Sequence, residues 1–143
     1  MTNRESDPSR PPPPPPIQAA GYAAEPARFP MLQVVDLAAV AAAVVEAHRN
    51  LVVSKVNGGC LRLAVFEGVF PWHRHPTSDE LFLVVSGTLV IDLADGTERR
   101  LGPWQSVTIP AGMIHRTRAI GRTVNLCVEE AAAATEFVEP PVR

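Results

Sequence analysis

Three of the four histidines in this 143-residue chain lie in two short segments. The first segment, Gly68 to Gly87, reads G-V-F-P-W-H-R-H-P-T-S-D-E-L-F-L-V-V-S-G and contains two of these histidines and a glutamate. The second, P-A-G-M-I-H, ends in the third histidine. Imidazole nitrogens and carboxylate oxygens are ligands that divalent first-row transition metals accept. The pattern therefore predicts one metal site, formed by His73, His75, Glu80 and His115.

The spacing of these four residues suits short β-strands. His73 and His75 are two positions apart, and side chains alternate along a strand, so both imidazoles project to the same face. The segment 76–79, P-T-S-D, is turn-prone, so the chain can reverse and return Glu80 on the next strand. His115 follows a P-x-G turn at the start of another strand. A lone H-x-H pair would be a weak signal, whereas this complete set is specific.

Three imidazoles and one carboxylate suit Fe, Mn, Ni, Cu, Co or Zn. In an octahedral ion, four protein ligands leave two positions for water or substrate, which is the open coordination that a catalytic metal needs. Zinc is more often four-coordinate and would bind substrate only by expanding its coordination. Glu80 or a metal-bound water could then move protons, so Glu80 is also the candidate catalytic residue.

The chain from Leu51 onward has the pattern of short strands separated by tight turns. Asn57-Gly58 and Asp95-Gly96 are hairpin signals, and further glycines and prolines end the other apolar runs. The pattern predicts roughly eight to ten short strands without interleaved helices. An all-β antiparallel sandwich or barrel is therefore expected.

One short helix is predicted ahead of the strands. Asp36 is a good N-cap for an alanine-rich helix of roughly Leu37 to Arg49. His48 and Arg49 would then lie in its last turn, where positive charge suits the helix dipole. His48 is accordingly interpreted as a helix-end residue and not as a metal ligand.

The predicted domain organisation is one folded domain between two tails. Residues 1–28 are predicted to form a proline-rich disordered or extended tail, in which Pro11 to Pro16 favour polyproline II. That run could also dock an aromatic groove on a partner. Residues 29–130 form the predicted domain, and residues 131–143 form a C-terminal tail. Phe137 and Val138 in this tail are candidates to pack back on the body.

Composition excludes several classes of function. The net charge is -2, Lys55 is the single lysine, and no arginine cluster is dense enough to form a basic stripe, so no nucleic acid is expected as a partner. The N-terminus lacks the apolar core of a signal peptide, and the most apolar window, Leu37 to Ala47, is too short to span a bilayer. A soluble cytoplasmic protein is expected. Cys60 and Cys127 are expected to be reduced core thiols, although a disulfide between them stays open.

Strand parity predicts which further side chains face the metal. Phe82 shares the parity of Glu80, and Thr117 shares that of His115, so both are expected inside. Asn125 and Cys127 share one face of the last strand and are expected at the pocket wall, as is Phe66. The arginines of these strands have the opposite parity and should point away from the metal: Arg74, Arg116 and Arg118.

Together these motifs resemble those of the cupin superfamily. His73-x-His75-x4-Glu80-x6-Gly87 resembles the first cupin motif, and Pro110-x-Gly112-x2-His115 resembles the second. The chain is most similar to small bacterial single-domain cupins of the mannose-6-phosphate-isomerase-like group. The resemblance implies an antiparallel double-stranded β-helix, the jelly-roll barrel of cupins, with the metal inside. It also implies a homodimer.

Cupins include isomerases, epimerases, dioxygenases, decarboxylases and hydrolytic enzymes besides non-enzymatic binders, so the resemblance does not fix the function. The expected function is a metal-dependent enzyme on a small polar molecule, with isomerase-like or oxygenase-type chemistry. The alternative is a non-catalytic cupin that binds a metal or a small ligand. No phosphate cradle is visible, which disfavours mannose-6-phosphate isomerisation itself. One helix cannot form a helix-turn-helix, which disfavours a transcription factor.

Overall fold

The structure is a computed structural model and describes residues 25–142, so the Pro11 to Pro16 run lies outside the described residues. Within this range the chain forms one helix and seven strands. All strand pairs in this range are antiparallel, which confirms the predicted all-β fold with one short N-terminal helix. In chain order the elements are α1 (Leu37–Ala42), β1 (His48–Val56), β2 (Gly59–Arg74), β3 (Glu80–Leu93), β4 (Glu98–Leu101), β5 (Ser106–Ile109), β6 (His115–Glu130) and β7 (Glu136–Phe137).

The strands are fewer and longer than the sequence pattern predicts. The main path through the sheet is β1-β2-β6-β3-β4, with β5 paired to β3 and β7 paired to β2. The three central strands have 14 to 16 residues each, and each contains a glycine with positive φ: Gly68, Gly87 and Gly121. The β2–β6 and β3–β6 ladders shift register near these glycines. The strands therefore bend without ending, which lets one sheet fold over itself and enclose an interior.

Gly87 is required at its bend for two independent reasons. Its φ is 85°, in the left-handed region that disfavours residues with a Cβ. A Cβ at this position would also lie 2.5 Å from Oγ1 of Thr123 and 2.6 Å from the carbonyl oxygen of Arg122. The close approach of β3 to β6 thus depends on the absence of a side chain.

Two apolar clusters stabilise the two faces of the folded sheet. The inner cluster fills the barrel and consists of Phe66, Phe82, Val84, Leu89, Ile91, Leu93, Leu101, Ile109, Ala119 and Cys127. The outer cluster lies under the N-terminal segment and α1, and its buried members are Ala41, Val44, Leu51, Val53, Leu63, Val65 and Val124. The N-terminal segment is held on β1 by backbone hydrogen bonds from Arg28 and Phe29 to the carbonyls of Val52 and Val53.

The predicted length of the helix is wrong. Asp36 caps it as expected, since its Oδ1 accepts a hydrogen bond from the amide of Ala39, but α1 ends at Ala42. His48 and Arg49, predicted in the last helical turn, begin β1 and pair with β2. The ladder to β2 supplies hydrogen bonds and ring contacts that outweigh a continued alanine helix, and the intervening valines favour extended backbone.

In residues 25–142 no helix has the length and hydropathy needed to cross a bilayer.

The C-terminal residues and both cysteines pack as the sequence suggests. Strand β7 pairs with the end of β2, where the amide of Val138 donates to the carbonyl of Trp72. Cys60 and Cys127 are buried and free. In the β2–β6 register each of them stands opposite a charged residue, so they are diagonal neighbours and not a facing pair.

Candidate metal centre

The four residues predicted as metal ligands come together at the ends of three strands. His73 and His75 lie at the end of β2, Glu80 begins β3, and His115 begins β6 directly opposite His73. One nitrogen or carboxylate oxygen from each residue lies within 4.8 Å of the others, and all four side chains are buried. This four-residue cluster could hold a metal ion.

Each imidazole in the four-residue cluster is held by a backbone carbonyl. Nδ1 of His73 lies 2.8 Å from the carbonyl oxygen of Pro71, and Nδ1 of His115 lies 2.9 Å from that of Met113. Nδ1 of His75 lies 3.0 Å from the carbonyl oxygen of Ala134, 59 residues away in the chain. A carbonyl oxygen can only accept, so each Nδ1 carries the proton and donates it. The lone pair of each neutral ring is then at Nε2, as in metal-bound histidines.

The atoms that face the interior of the four-residue cluster are nearly all acceptors. Oε2 of Glu80 lies 3.0 Å from Nε2 of His75 and 3.3 Å from Nε2 of His115. These three buried atoms have no oriented hydrogen bond in the described part of the chain. Two ligand atoms at right angles around an ion, each about 2.1 Å from it, are about 3.0 Å apart. Lone pairs at such spacing repel unless a cation lies between them, so the residues fit a divalent ion.

The pKa values of the metal-free cluster point the same way. Burial lowers the pKa of His75, but the close contact with the negatively charged Glu80 outweighs it and raises that pKa to about 9. Burial likewise raises the pKa of Glu80, yet contacts from His115 and His75 lower it overall. Burial, together with the neighbouring His115, lowers the pKa of His73 to about 4. A proton on His75 therefore supplies part of the positive charge that the cluster attracts.

A buried ion pair, which the sequence analysis missed, lies beside His75. Nε of Arg62 is 3.0 Å from Oε1 of Glu129, and the two side chains are 1% and 0% exposed. Oε2 of Glu129 is 3.8 Å from Nε2 of His75, which adds negative potential at the cluster. Asn50 and Glu25 also accept hydrogen bonds from Arg62. Strand parity could have predicted the burial of Arg62, because Arg62 lies on the same face of β2 as Cys60 and Phe66.

Comparison with known proteins agrees with the folded sheet and its four-residue cluster. A family model described as a cupin domain matches residues 61–129. The chain is 49% identical over 109 residues to YdbB of Bacillus subtilis (strain 168), described as uncharacterized, and this match spans 76% of the chain and 96% of YdbB. The chain belongs to the cupin superfamily. Its placement in the mannose-6-phosphate-isomerase-like group stays a prediction.

Solved structures of other bacterial proteins share the barrel. A cupin-2 domain protein from Shewanella frigidimarina superposes on this cupin with a TM-score of 0.64 at 27% identity, over 68% of this chain and 94% of that one. A protein from Neisseria meningitidis gives 0.63 at 23% identity, over 68% and 99%. The DMSP lyase DddQ from Ruegeria pomeroyi gives 0.58 at 19% identity, over 68% and 54%. Likeness to the last two shows the fold alone.

Three members of the four-residue cluster, His73, His75 and Glu80, line a pocket with aromatic walls. Phe66, Thr117, Asn125 and Cys127 line it, as strand parity predicts. The pocket volume is about 60 Å³ and the pocket is partly open to solvent, so its interior takes a small group and a longer ligand would extend through the mouth. Its full lining is His48, Asn50, Ala64, Phe66, Phe70, His73, His75, Glu80, Phe82, Thr117, Asn125, Cys127, Thr135 and Phe137.

His48 is the functional candidate that the sequence analysis misplaced. Its ring stacks on that of Phe70 at 6.0 Å with an interplanar angle of 22°, and Phe70 meets the ring of His73 edge-on at 4.9 Å. His48 is not part of the four-residue cluster, so its exclusion as a ligand agrees with the geometry. Burial lowers its pKa, which favours a neutral imidazole at the pocket wall. The alternation of His48 and Asn50 ahead of Val52 was a weak strand signal hidden by the alanine-rich run.

The three arginines that were expected to point away from the cluster do so. Arg116 and Arg118 both donate to the carboxylate of Asp92 at 2.8 Å on the outer face of the cupin barrel. Arg74 pairs with Glu136 at 2.8 Å. At the positions next to the ligand histidines the strands thus present guanidinium groups outward, whereas Arg62, farther along β2, is buried on the inner face and paired with Glu129.

Proposed function

We propose that this cupin is a divalent-metal-dependent enzyme that acts on a small polar substrate without a phosphate group. The four-residue cluster would hold the ion. The observation that carries the proposal is the convergence of acceptor atoms from three fixed imidazoles and one carboxylate at the base of a pocket. A purely structural barrel gains nothing from buried polar groups whose burial is unfavourable without a partner.

A bound ion would supply Lewis-acid polarisation of a substrate oxygen or, if redox-active, chemistry with O₂. The chain would contribute orientation, because the Nδ1 bonds fix all three rings before any ligand arrives. Phe66 and Phe82 would exclude water around the substrate. Glu80, which reaches the pocket and contacts two of the rings, is the candidate proton acceptor.

The lining favours oxygenase-type chemistry over isomerisation of a phosphorylated sugar. Four phenylalanines line the pocket, and no lysine or arginine among the described residues does so. A phosphate group would need such a cation or a cradle of backbone amides. The fold does not decide the chemistry, because one fold hosts unrelated activities.

Metal analysis followed by reconstitution tests this proposal. We expect about one divalent transition metal per purified chain, and loss of turnover on chelation with recovery when one ion of the series Fe, Mn, Ni, Cu, Co and Zn is restored. Oxygen consumption with a small hydroxylated substrate distinguishes oxygenase from isomerase activity. Absence of any stoichiometric metal would refute the proposal. Stoichiometric metal with ligand binding but no turnover would instead identify a non-catalytic binding cupin.

We also propose that the chain is a homodimer. Large apolar side chains are exposed along the N-terminal segment, including Met31 at 85%, Leu32 at 104% and Val34 at 94%. Leu32 has a positive φ of 68°, a strained conformation for a leucine. Such a patch favours association with another protein surface. Light scattering should give twice the chain mass, and Leu32→Asp should reduce it to the monomer mass; a monomeric wild type contradicts the proposal.

A further inference from the structure

Asn125 is a buried pocket residue whose hydrogen bonding is incomplete. It is 1% exposed, and its Nδ2 donates to Sγ of Cys127 at 3.1 Å. Its Oδ1 has no hydrogen-bond partner among residues 25–142. A buried amide oxygen without a donor is destabilising, and native proteins rarely leave one in that state. The environment of Asn125 therefore calls for a donor.

The residues directly opposite Asn125 in the sheet cannot supply that donor. Its cross-strand partners are Ala64 on β2 and Val84 on β3, and neither side chain has a polar atom. Two residues earlier on β6, the hydroxyl of Thr123 already donates to the carbonyl of Thr88 and accepts from the Thr88 amide. The side left open is the pocket, which Asn125 lines.

The other amide in the pocket is already used. Oδ1 of Asn50 accepts a hydrogen bond from Nη1 of Arg62 at 3.2 Å. Arg62 is buried, so Asn50 serves the scaffold. Asn125 is thus the pocket amide whose oxygen is available to a ligand.

We propose that Asn125 binds the substrate by accepting a hydrogen bond from it. This inference rests on the proposed function, in which a metal ion binds the other end of the substrate. The substrate class that follows is a small molecule with a metal-binding oxygen at one end and a hydroxyl or N–H donor at the other. Its middle is apolar, because Phe66 and Phe82 line the pocket together with Asn125. A site built around such an acceptor rejects an analogue in which a methyl group replaces the donor.

Matched pairs of simple acids test this on the Co²⁺-loaded protein. The probes are 3-hydroxypropanoate, 4-hydroxybutanoate and 5-hydroxypentanoate, against the isosteric butanoate, pentanoate and hexanoate. Their carboxylate is the metal-binding end, and the visible Co²⁺ spectrum reports that it has bound. In an apolar pocket without a receptive acceptor, the fatty acid of each pair would bind more tightly. We expect the opposite for the chain length that reaches Asn125, with about tenfold tighter binding of the hydroxy acid by calorimetry.

The variants assign the preference to one residue. Asn125→Leu, close in size, should abolish the hydroxyl preference while leaving Co²⁺ uptake and its spectrum unchanged. Asn50→Leu should retain the preference. If Asn50→Leu abolishes it and Asn125→Leu does not, the assignment to Asn125 is overturned.

One comparison needs no variant and so holds even if Asn125→Leu fails to fold. At the chain length that shows the preference, wild type should bind the secondary hydroxy acid more tightly than the matching keto acid, such as 4-hydroxypentanoate against 4-oxopentanoate, since the ketone can only accept. Equal binding, or a preference for the ketone or the fatty acids, overturns the inference while leaving the metal site intact. Failure to take up Co²⁺ at all would refute the proposed function, and the inference with it.

Discussion

The four-residue cluster and the wall of the pocket above it are built in different ways. The cluster comes from two short sequence segments, and each imidazole is fixed by a carbonyl. The wall draws on β1, β2, β3, β6 and the C-terminal segment, with residues as distant as His48 and Phe137. The cluster therefore keeps its four candidate ligands as long as the two motifs are intact, and only the carbonyl that orients His75 comes from outside them. The wall, which selects the substrate, can change through single residues in several elements.

The cluster and the wall share one element, the C-terminal segment that includes Ala134, Thr135 and Phe137. Nδ1 of His75 donates to the carbonyl oxygen of Ala134, and Thr135 and Phe137 in the same segment line the pocket. The C-terminal segment thus serves both the cluster and the wall. Variants in the cluster and in the wall can therefore be compared separately, and variants of the C-terminal segment show how the two regions are joined.

The largest effect is expected from a pair of histidine variants, one in the four-residue cluster and one in the pocket wall. His75→Ala removes one of the four candidate ligands and leaves the Glu80 carboxylate without its nearest imidazole, so metal affinity should fall by a factor of about 100 or more. His48→Ala removes only a ring of the wall and should retain full occupancy. Elemental analysis after dialysis against Zn²⁺ measures both. Equal loss in the two variants would show that the cluster does not hold the metal.

The histidine pair also shows what sequence could predict. His73, His75 and Glu80 are recognisable because strand parity and a turn act over a few residues. His48 is not, because the preceding alanine-rich run has high helix propensity, and it is the pairing of His48 with Phe66 across the β1–β2 hairpin that makes this residue extended. The same holds for Phe137, whose place in the wall depends on pairing with His73. Local rules predicted the cluster and the wall residues on the inner faces of β2, β3 and β6, whereas strand pairing determined the places of His48 and Phe137 in the wall.

The buried ion pair beneath His75 should govern the stability of both regions. Glu129→Gln leaves the Arg62 guanidinium without its fully buried carboxylate, and such losses destabilise proteins by about 3 kcal/mol. The double variant Arg62→Leu/Glu129→Leu should recover much of this, since an apolar pair of similar size has no charge to compensate. Urea unfolding of the metal-free proteins measures the stability of wild type, the single variant and the double variant. A double variant that is less stable than the single one contradicts the argument.

Phe137 tests whether the wall can change without the cluster. Its ring lies 6.2 Å from that of His73 and 5.8 Å from that of Phe70, and it is 48% exposed. Phe137→Ala should lower the free energy of unfolding by only about 1 kcal/mol, because half of the side chain is already in water. It should weaken binding of small carboxylates to the Co²⁺-loaded protein severalfold while Co²⁺ affinity stays constant. Loss of Co²⁺ binding would show that this part of β7 supports the cluster.

The smallest effect is expected on the outer face, directly behind His115. Hydrogen bonds from Arg118 hold the pKa of Asp92 below its ordinary value of 3.8, against a raising effect of burial, and Arg116 lowers it further. Because the folded pKa is lowered, the stabilisation is present above the ordinary pKa and is lost as the pH falls through the folded pKa. Asp92→Asn should therefore destabilise by about 1 kcal/mol at pH 7, and the difference from wild type should shrink in acid.

Urea unfolding of wild type and Asp92→Asn at pH 7, 5 and 3 measures that difference. Arg100→Ala is the matched control, because it removes an exposed charge from the neighbouring strand β4 and does not touch Asp92. Metal affinity should be unchanged in both variants, since His115 is oriented by Met113 from inside the barrel and not by the arginines behind it. A fall in metal affinity in Asp92→Asn would mean that the outer ion pairs also orient the cluster, so that its geometry would depend on more than the two motifs and their carbonyl contacts.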